Sequence, residues 1–159
     1  DLETGRQMEV EGSLVGMNVT HDGRYVWSRV WRPGSSKLIV TDVRSGQAVR
    51  NIRSNQPGGG RPIEAIASPF SPHVLIIFTA RPDHEWWLAD PDGSDLRRLP
   101  IELGEDVIGW SAAGEIILLR GRTVQALDPD TGQRRLIREL PRRGAVKLSG
   151  GLARPMYQR

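Results

Sequence analysis

An all-β fold of repeated four-stranded sheets is predicted by three observations. A turn phrase made of Asp, two or three variable residues and Gly recurs as "DLETG" at the start, "DVRSG" from Asp42, "DPDG" from Asp90 and "DPDTG" from Asp128. Its leading aspartates stand 41, 48 and 38 residues apart, a period near 40 that suits propeller blades of short strands. Between the turns lie short runs rich in Val, Ile, Leu and Trp, bounded by Gly, Pro and Asp, with no sustained helical period. Together they predict an antiparallel propeller, or an arc of one, with almost no helix.

The elements follow in order. In the first complete unit, strands are expected over Leu14–Thr20, Arg24–Trp31, Lys37–Val43 and Ala48–Ile52, separated by "HDG", "RPGSS" and "RSGQ". The second unit repeats the order at Ile63–Ser68, His73–Ala80, Glu85–Asp90 and Asp95–Leu99, and the third at Asp106–Ser111, Glu115–Arg120, Thr123–Asp128 and Arg134–Glu139. "HVLIIFTA" and "EIILLR" are apolar on both faces, as expected where a sheet is sandwiched between neighbouring sheets. The turn glycines Gly46, Gly93 and Gly132 are expected at positive φ. The domain is taken as residues 1–159, divided into a blade end at 1–13, blades at 14–55, 61–100 and 105–140, and a partial blade at 144–159. Exposed sheet edges and bare apolar faces require closure. Three routes satisfy it: a composite fourth blade from the two ends, a place within a larger propeller, or association of two chains.

Composition excludes several classes. The 159 residues suffice for one domain, and no apolar run approaches the roughly 20 residues of a membrane span. No cysteine is present, so disulfides and thiolate metal sites are excluded. The first residue is Asp rather than Met, which reads as a processed, excised or partial chain. Net charge is only +3, but residues 134–159 carry eight basic residues against Glu139 alone. Basic blocks of this kind usually form solvated tails or bind acidic partners. With no aromatic interleaved before Tyr157, nucleic acid is disfavoured.

"HDGRYVW…LIVTDVRSG", "WWLADPDGSDLRRL" and "GWSAAGEIILLRGRTVQALDPDTG" resemble TolB-type and YVTN-type β-propeller repeats over about residues 14–139. In these repeats, a strand ending in Ser, a Pro/Asp-Gly turn, a hydrophobic strand and an Asp-x-x-Thr-Gly hairpin recur. "SPFSPH" and "SAAGE" depart from the pattern by lacking Asp before Gly. The resemblance implies the fold and an extracytoplasmic, periplasmic setting; it implies no reaction.

Catalytic motifs are missing: there is no Gly-x-Ser-x-Gly elbow, P-loop, dinucleotide fingerprint or His-Glu-x-x-His. No cofactor or metal is expected. "DPDGSD" lacks the spacing of a calcium loop and is explained as a hairpin turn. "RPDHE" places Asp83, His84 and Glu85 in a strand-connecting loop without a second ligand set. Tyr25, Trp27 and Trp31 share one strand face, where packing between blades is expected. Trp86 and Trp87 point to opposite faces, and one of them is the better exposed anchor. Arg142 and Arg143, between Pro141 and Gly144, are expected on an exposed connection, where guanidiniums suit carboxylate or phosphate. The candidate partner-binding residues are therefore Arg142, Arg143, Trp86, Trp87 and His84. The expected function is a non-catalytic scaffold for a protein partner or for self-association that completes the ring. The alternative is the propeller portion of a hydrolase or of a periplasmic envelope complex.

Overall fold

A computed structural model describes residues 13–32, 35–53, 60–79 and 84–141. The terminal blade pieces, Arg142 and Arg143, and most of the "RPDHE" loop lie outside the described residues. Twelve strands run in chain order: β1 Ser13–Val19, β2 Tyr25–Arg32, β3 Ser35–Asp42, β4 Ala48–Arg53, β5 Pro62–Ala67, β6 Val74–Thr79, β7 His84–Ala89, β8 Arg97–Arg98, β9 Asp106–Trp110, β10 Ile116–Arg120, β11 Thr123–Leu127 and β12 Arg134–Glu139. They form three four-stranded antiparallel meanders, β1 to β4, β5 to β8 and β9 to β12, each strand pairing with the next. Among the described residues there is no helix.

The period-2 pattern of the second sheet explains how the blades stack. Val74, Ile76 and Phe78 of β6, with Trp87 and Ala89 of β7, project to one side and form a core with Trp27, Leu38, Val40 and Ile52 of the first blade. Leu75 and Leu88 project to the other side and pack with Ile116, Leu118 and Leu127 of the third. An uninterrupted apolar run is thus what a sheet covered on both faces requires. Polar side chains staple the first two blades across this core. The Trp27 indole donates to the Pro91 carbonyl at 2.8 Å, Asn18 Nδ2 to the Ala65 carbonyl at 2.8 Å, and Ser36 Oγ to the Pro62 carbonyl at 2.6 Å.

Gly46, Gly93 and Gly132 have φ of 71°, 81° and 71°, as the hairpins demand. The fourth strand of the second blade is shorter than the expected Asp95–Leu99. Asp95 itself takes a positive φ of 47° as the chain leaves the turn, so only Arg97 and Arg98 reach extended pairing with β7.

Candidate functional site

All three blades direct their β1–β2-type and β3–β4-type turns to the same rim. A Ser or Thr hydroxyl closes each first turn. Thr20 Oγ1 accepts from the Tyr25 N–H (3.0 Å), Ser68 Oγ from the Phe70 and Ser71 N–H groups (3.2 and 3.1 Å), and Ser111 Oγ from those of Ala113 and Glu115 (3.2 and 3.1 Å). "SPFSPH" and "SAAGE" therefore do without Asp because their own leading serines, Ser68 and Ser111, supply the acceptor. Asp42 Oδ1 accepts from the N–H groups of Arg44 and Ser45, and Asp128 Oδ1 from those of Asp130 and Thr131. Those backbone donors hold both carboxyls below the usual carboxylate range. In "DPDGSD", Asp92 Oδ1 takes the Ser94 hydroxyl at 2.5 Å and its N–H at 2.9 Å, and the hydroxyl bond chiefly lowers the Asp92 carboxyl. These acids are spent inside their own turns. Among the described residues, no three His, Cys, Asp or Glu side chains gather closely enough to hold a metal ion.

Two depressions sit between neighbouring blades on this rim, at equivalent positions of the repeat. The first is lined by Asp22, Arg24 and Tyr25 of the first blade and by Pro72, Asp90, Asp92 and Ser94 of the second. The other is lined by Ser71, Pro72 and His73 of the second blade and by Glu115, Asp128 and Asp130 of the third. Pro72 belongs to both, and the exposed Phe70 stands in the same turn. The turns contribute eight carboxylates, Asp22, Asp42, Asp90, Asp92, Asp95, Glu115, Asp128 and Asp130, against Arg24 and Arg44. Two are compensated by arginines of the strands, since Arg97 Nη2 lies 3.1 Å from Asp130 and Arg135 holds Glu115, while His73 Nε2 stands 3.4 Å from Asp130. That Arg135 bond is the main reason the Glu115 carboxyl is lowered.

The residues expected from sequence fall elsewhere. Trp87 is core, 7% exposed, edge-on to Phe78 with ring centroids 5.9 Å apart, and its indole donates to Glu85 Oε2 at 3.2 Å. It cannot serve as an exposed anchor, because its alternate position turns it toward the first blade. Trp86 faces the third blade and is half-buried against the second core cluster. His84 is exposed where β7 begins, paired in register with Thr79 on the opposite rim. The structure thus separates His84 from Trp87 and says nothing of Arg142 and Arg143.

Two exposed aromatics were missed. Phe70 sits in a Pro- and Ser-rich turn with no strand to bury it, a signal legible in "SPFSPH". Trp31 shares its strand face with Trp27 but is 61% exposed, whereas Trp27 is 0% exposed. It stands one residue from the end of β2, at the edge of the neighbouring blade, which leaves most of the indole in solvent.

No protein-family profile and no curated protein matches the chain. Solved structures do. An acylaminoacyl peptidase in complex with Z-Gly-Gly-Phe-chloromethyl ketone is similar with a TM-score of 0.61 and 12% identity, over 88% of this chain and 27% of that one. A protein assigned as a TolB from Agrobacterium tumefaciens gives 0.53 and 17%, over 80% of this chain and 50% of the other. TolB from Acinetobacter baumannii gives 0.52 and 13%, over 81% and 33%. The chain therefore spans half or less of the length of each. Identities this low speak to fold alone. In their fold, the described residues are three consecutive four-stranded blades of a TolB-like β-propeller.

Proposed function

We propose that these blades are a non-catalytic platform that holds a protein partner on the turn rim. The observation that carries this reading is Phe70, 55% exposed beside Pro72, the residue shared by two equivalent carboxylate-lined depressions. An exposed aromatic within a charged surround is the usual anatomy of an interaction hot spot. The partner is a polypeptide with an apolar anchor and basic flanks. A photo-crosslinking residue at position 70 tests it. Adducts should form there and not from position 49, and Phe70→Asp should abolish partner recovery. Equal adducts from both positions would refute the reading.

The third blade supports a second element of the proposal, completion of the ring. Ile117, Leu119 and Val124 occupy the face that corresponds to Leu75, Ile77 and Trp86 in the second blade, which the third blade covers. A following blade, from the same polypeptide or a second copy, fits that face. Light scattering on this chain distinguishes the sources, since self-association predicts a concentration-dependent dimer. The likeness to the acylaminoacyl peptidase supports an alternative, in which the blades are the propeller portion of a hydrolase. A hydrolase domain encoded contiguously would decide for it.

A further inference from the structure

The rim opposite the turns carries the β2–β3, β6–β7 and β10–β11 hairpins, and its first sector differs in charge from the rest of the protein. Between Trp31 and Ile63 the sequence holds six basic residues and one acid, Asp42. Asp42 lies on the turn rim, where Arg24 Nε approaches it at 3.5 Å. Glu64, the next acid in sequence, is half-buried in β5, where the charge of Arg29 acts on it.

Trp31 pairs in register with Ser36, whose Oγ donates to the Pro62 carbonyl. The hairpin end that carries Trp31 is thus tied to the start of β5, which the exposed Arg61 immediately precedes, while Arg32 follows Trp31 in the chain. Arg29 lies two residues back on the same strand face, half-buried, and its Nε is buried without a hydrogen-bond partner. Arg97, Arg98, Arg120, Arg134 and Arg135 each hold a carboxylate. Among the described residues no carboxylate pairs with Arg32 or Arg61. An exposed indole flanked by uncompensated guanidiniums combines the two residue types most enriched in binding hot spots.

We infer that the Trp31–Arg32–Arg61 corner is a docking surface for an acidic polypeptide segment bearing one apolar residue. The apolar residue would rest on the Trp31 indole, and the flanking carboxylates would take the two guanidiniums. A polypeptide is favoured over single-stranded nucleic acid because stacking of successive bases needs a row of aromatics, and Trp31 is the exposed tryptophan here. This surface is separate from the turn rim, so the two proposals stand or fall independently.

The test uses a fluorescein-labelled peptide in which a central leucine is flanked on each side by Asp and Glu, titrated at low and moderate salt. Wild type should bind with salt-weakened affinity and with a change in tryptophan emission. Trp31→Ala and Arg32→Gln/Arg61→Gln should each weaken binding at least about tenfold, a loss typical of a hot spot. Both variants should keep the wild-type melting temperature, because the replaced side chains are exposed. Phe70→Asp, which tests the other rim, should leave peptide binding unchanged. Equal affinity of wild type and both variants would overturn the inference. So would preferential binding of a single-stranded oligonucleotide, or of phosphatidylserine vesicles, that displaces the peptide from the same corner.

Discussion

Glu105 offers the sharpest test of how the second and third blades are joined. It ends the connection from β8 to β9, and its side chain is 1% exposed. It receives Arg134 Nη2 at 2.9 Å and the Glu102 N–H at 2.7 Å, while Arg134 Nη2 also donates to the Pro100 carbonyl. One carboxylate thus ties the inter-blade connection to the last strand of the third blade. Burial raises the Glu105 carboxyl, but the bonds from Arg134 and Glu102, with the charges of Arg134 and Arg120, outweigh it and leave the group below its ordinary range. Removing one partner of a fully buried pair costs about 3–5 kcal/mol. Arg134 is 26% exposed and can recover part of its hydration, so Glu105→Gln should cost about 2–3 kcal/mol. For a chain of this length that corresponds to a fall in melting temperature of roughly 5–10 °C. Because the folded-state carboxyl is depressed, its contribution is present above the ordinary glutamate range and is lost as pH falls through the lower folded value. Urea denaturation at pH 7 and pH 3 should therefore show a gap between wild type and variant that narrows in acid. A loss below about 1 kcal/mol at neutral pH would refute the argument, which rests on the penalty for stranding a buried partner. A gap that widens in acid would refute the linkage.

Other perturbations follow from the same geometry. Gly60→Ala would place a Cβ 1.9 Å from the Thr79 carbonyl oxygen; the β5–β6 pairing should shift at a cost of at least about 3 kcal/mol, visible as lost amide protection at Arg61 and Thr79. Among the hairpin glycines, each →Val change should cost roughly 1–3 kcal/mol in backbone strain. Gly93→Val should be the worst, because its Cβ would also meet Val40 Cγ2 at 3.1 Å and Arg50 Cγ at 3.2 Å; equal melting temperatures for Gly93→Val and Gly46→Val would contradict this. Trp87→Ala should cost about 3–5 kcal/mol as a core cavity, with partner binding affected no more than by the same destabilisation introduced elsewhere in the core. Calcium should not raise the melting temperature of wild type or Asp92→Ala, since Asp92 is occupied by Ser94. A calcium-dependent rise lost in the variant would make "DPDGSD" a metal loop.

Local chemistry was legible in the sequence wherever the chain dictates its own geometry. The Asp-to-Gly spacing placed the hairpins at Asp42, Asp90 and Asp128, and the double-faced apolar run "VLIIF" marked a sheet covered on both sides, because turn sterics and strand alternation act within a few residues. The repeat period of about 40 then carried these elements to the blade architecture. Which aromatic ends up in solvent could not be decided this way. Trp27 and Trp31 have the same face and the same residue type, yet one is enclosed and the other exposed, because burial depends on where the adjacent blade ends. Trp87 turned out to be core for the same reason: its strand face meets the first blade. The charge pattern behaved alike. Sequence showed a basic tail, while pairing Arg97 with Asp130 and Arg134 with Glu105, and leaving Arg32 and Arg61 without a carboxylate among the described residues, required segments 29 to 33 residues apart to be brought together. Turns and alternation are local properties of the chain, whereas exposure and charge compensation belong to the stacking of one blade on the next.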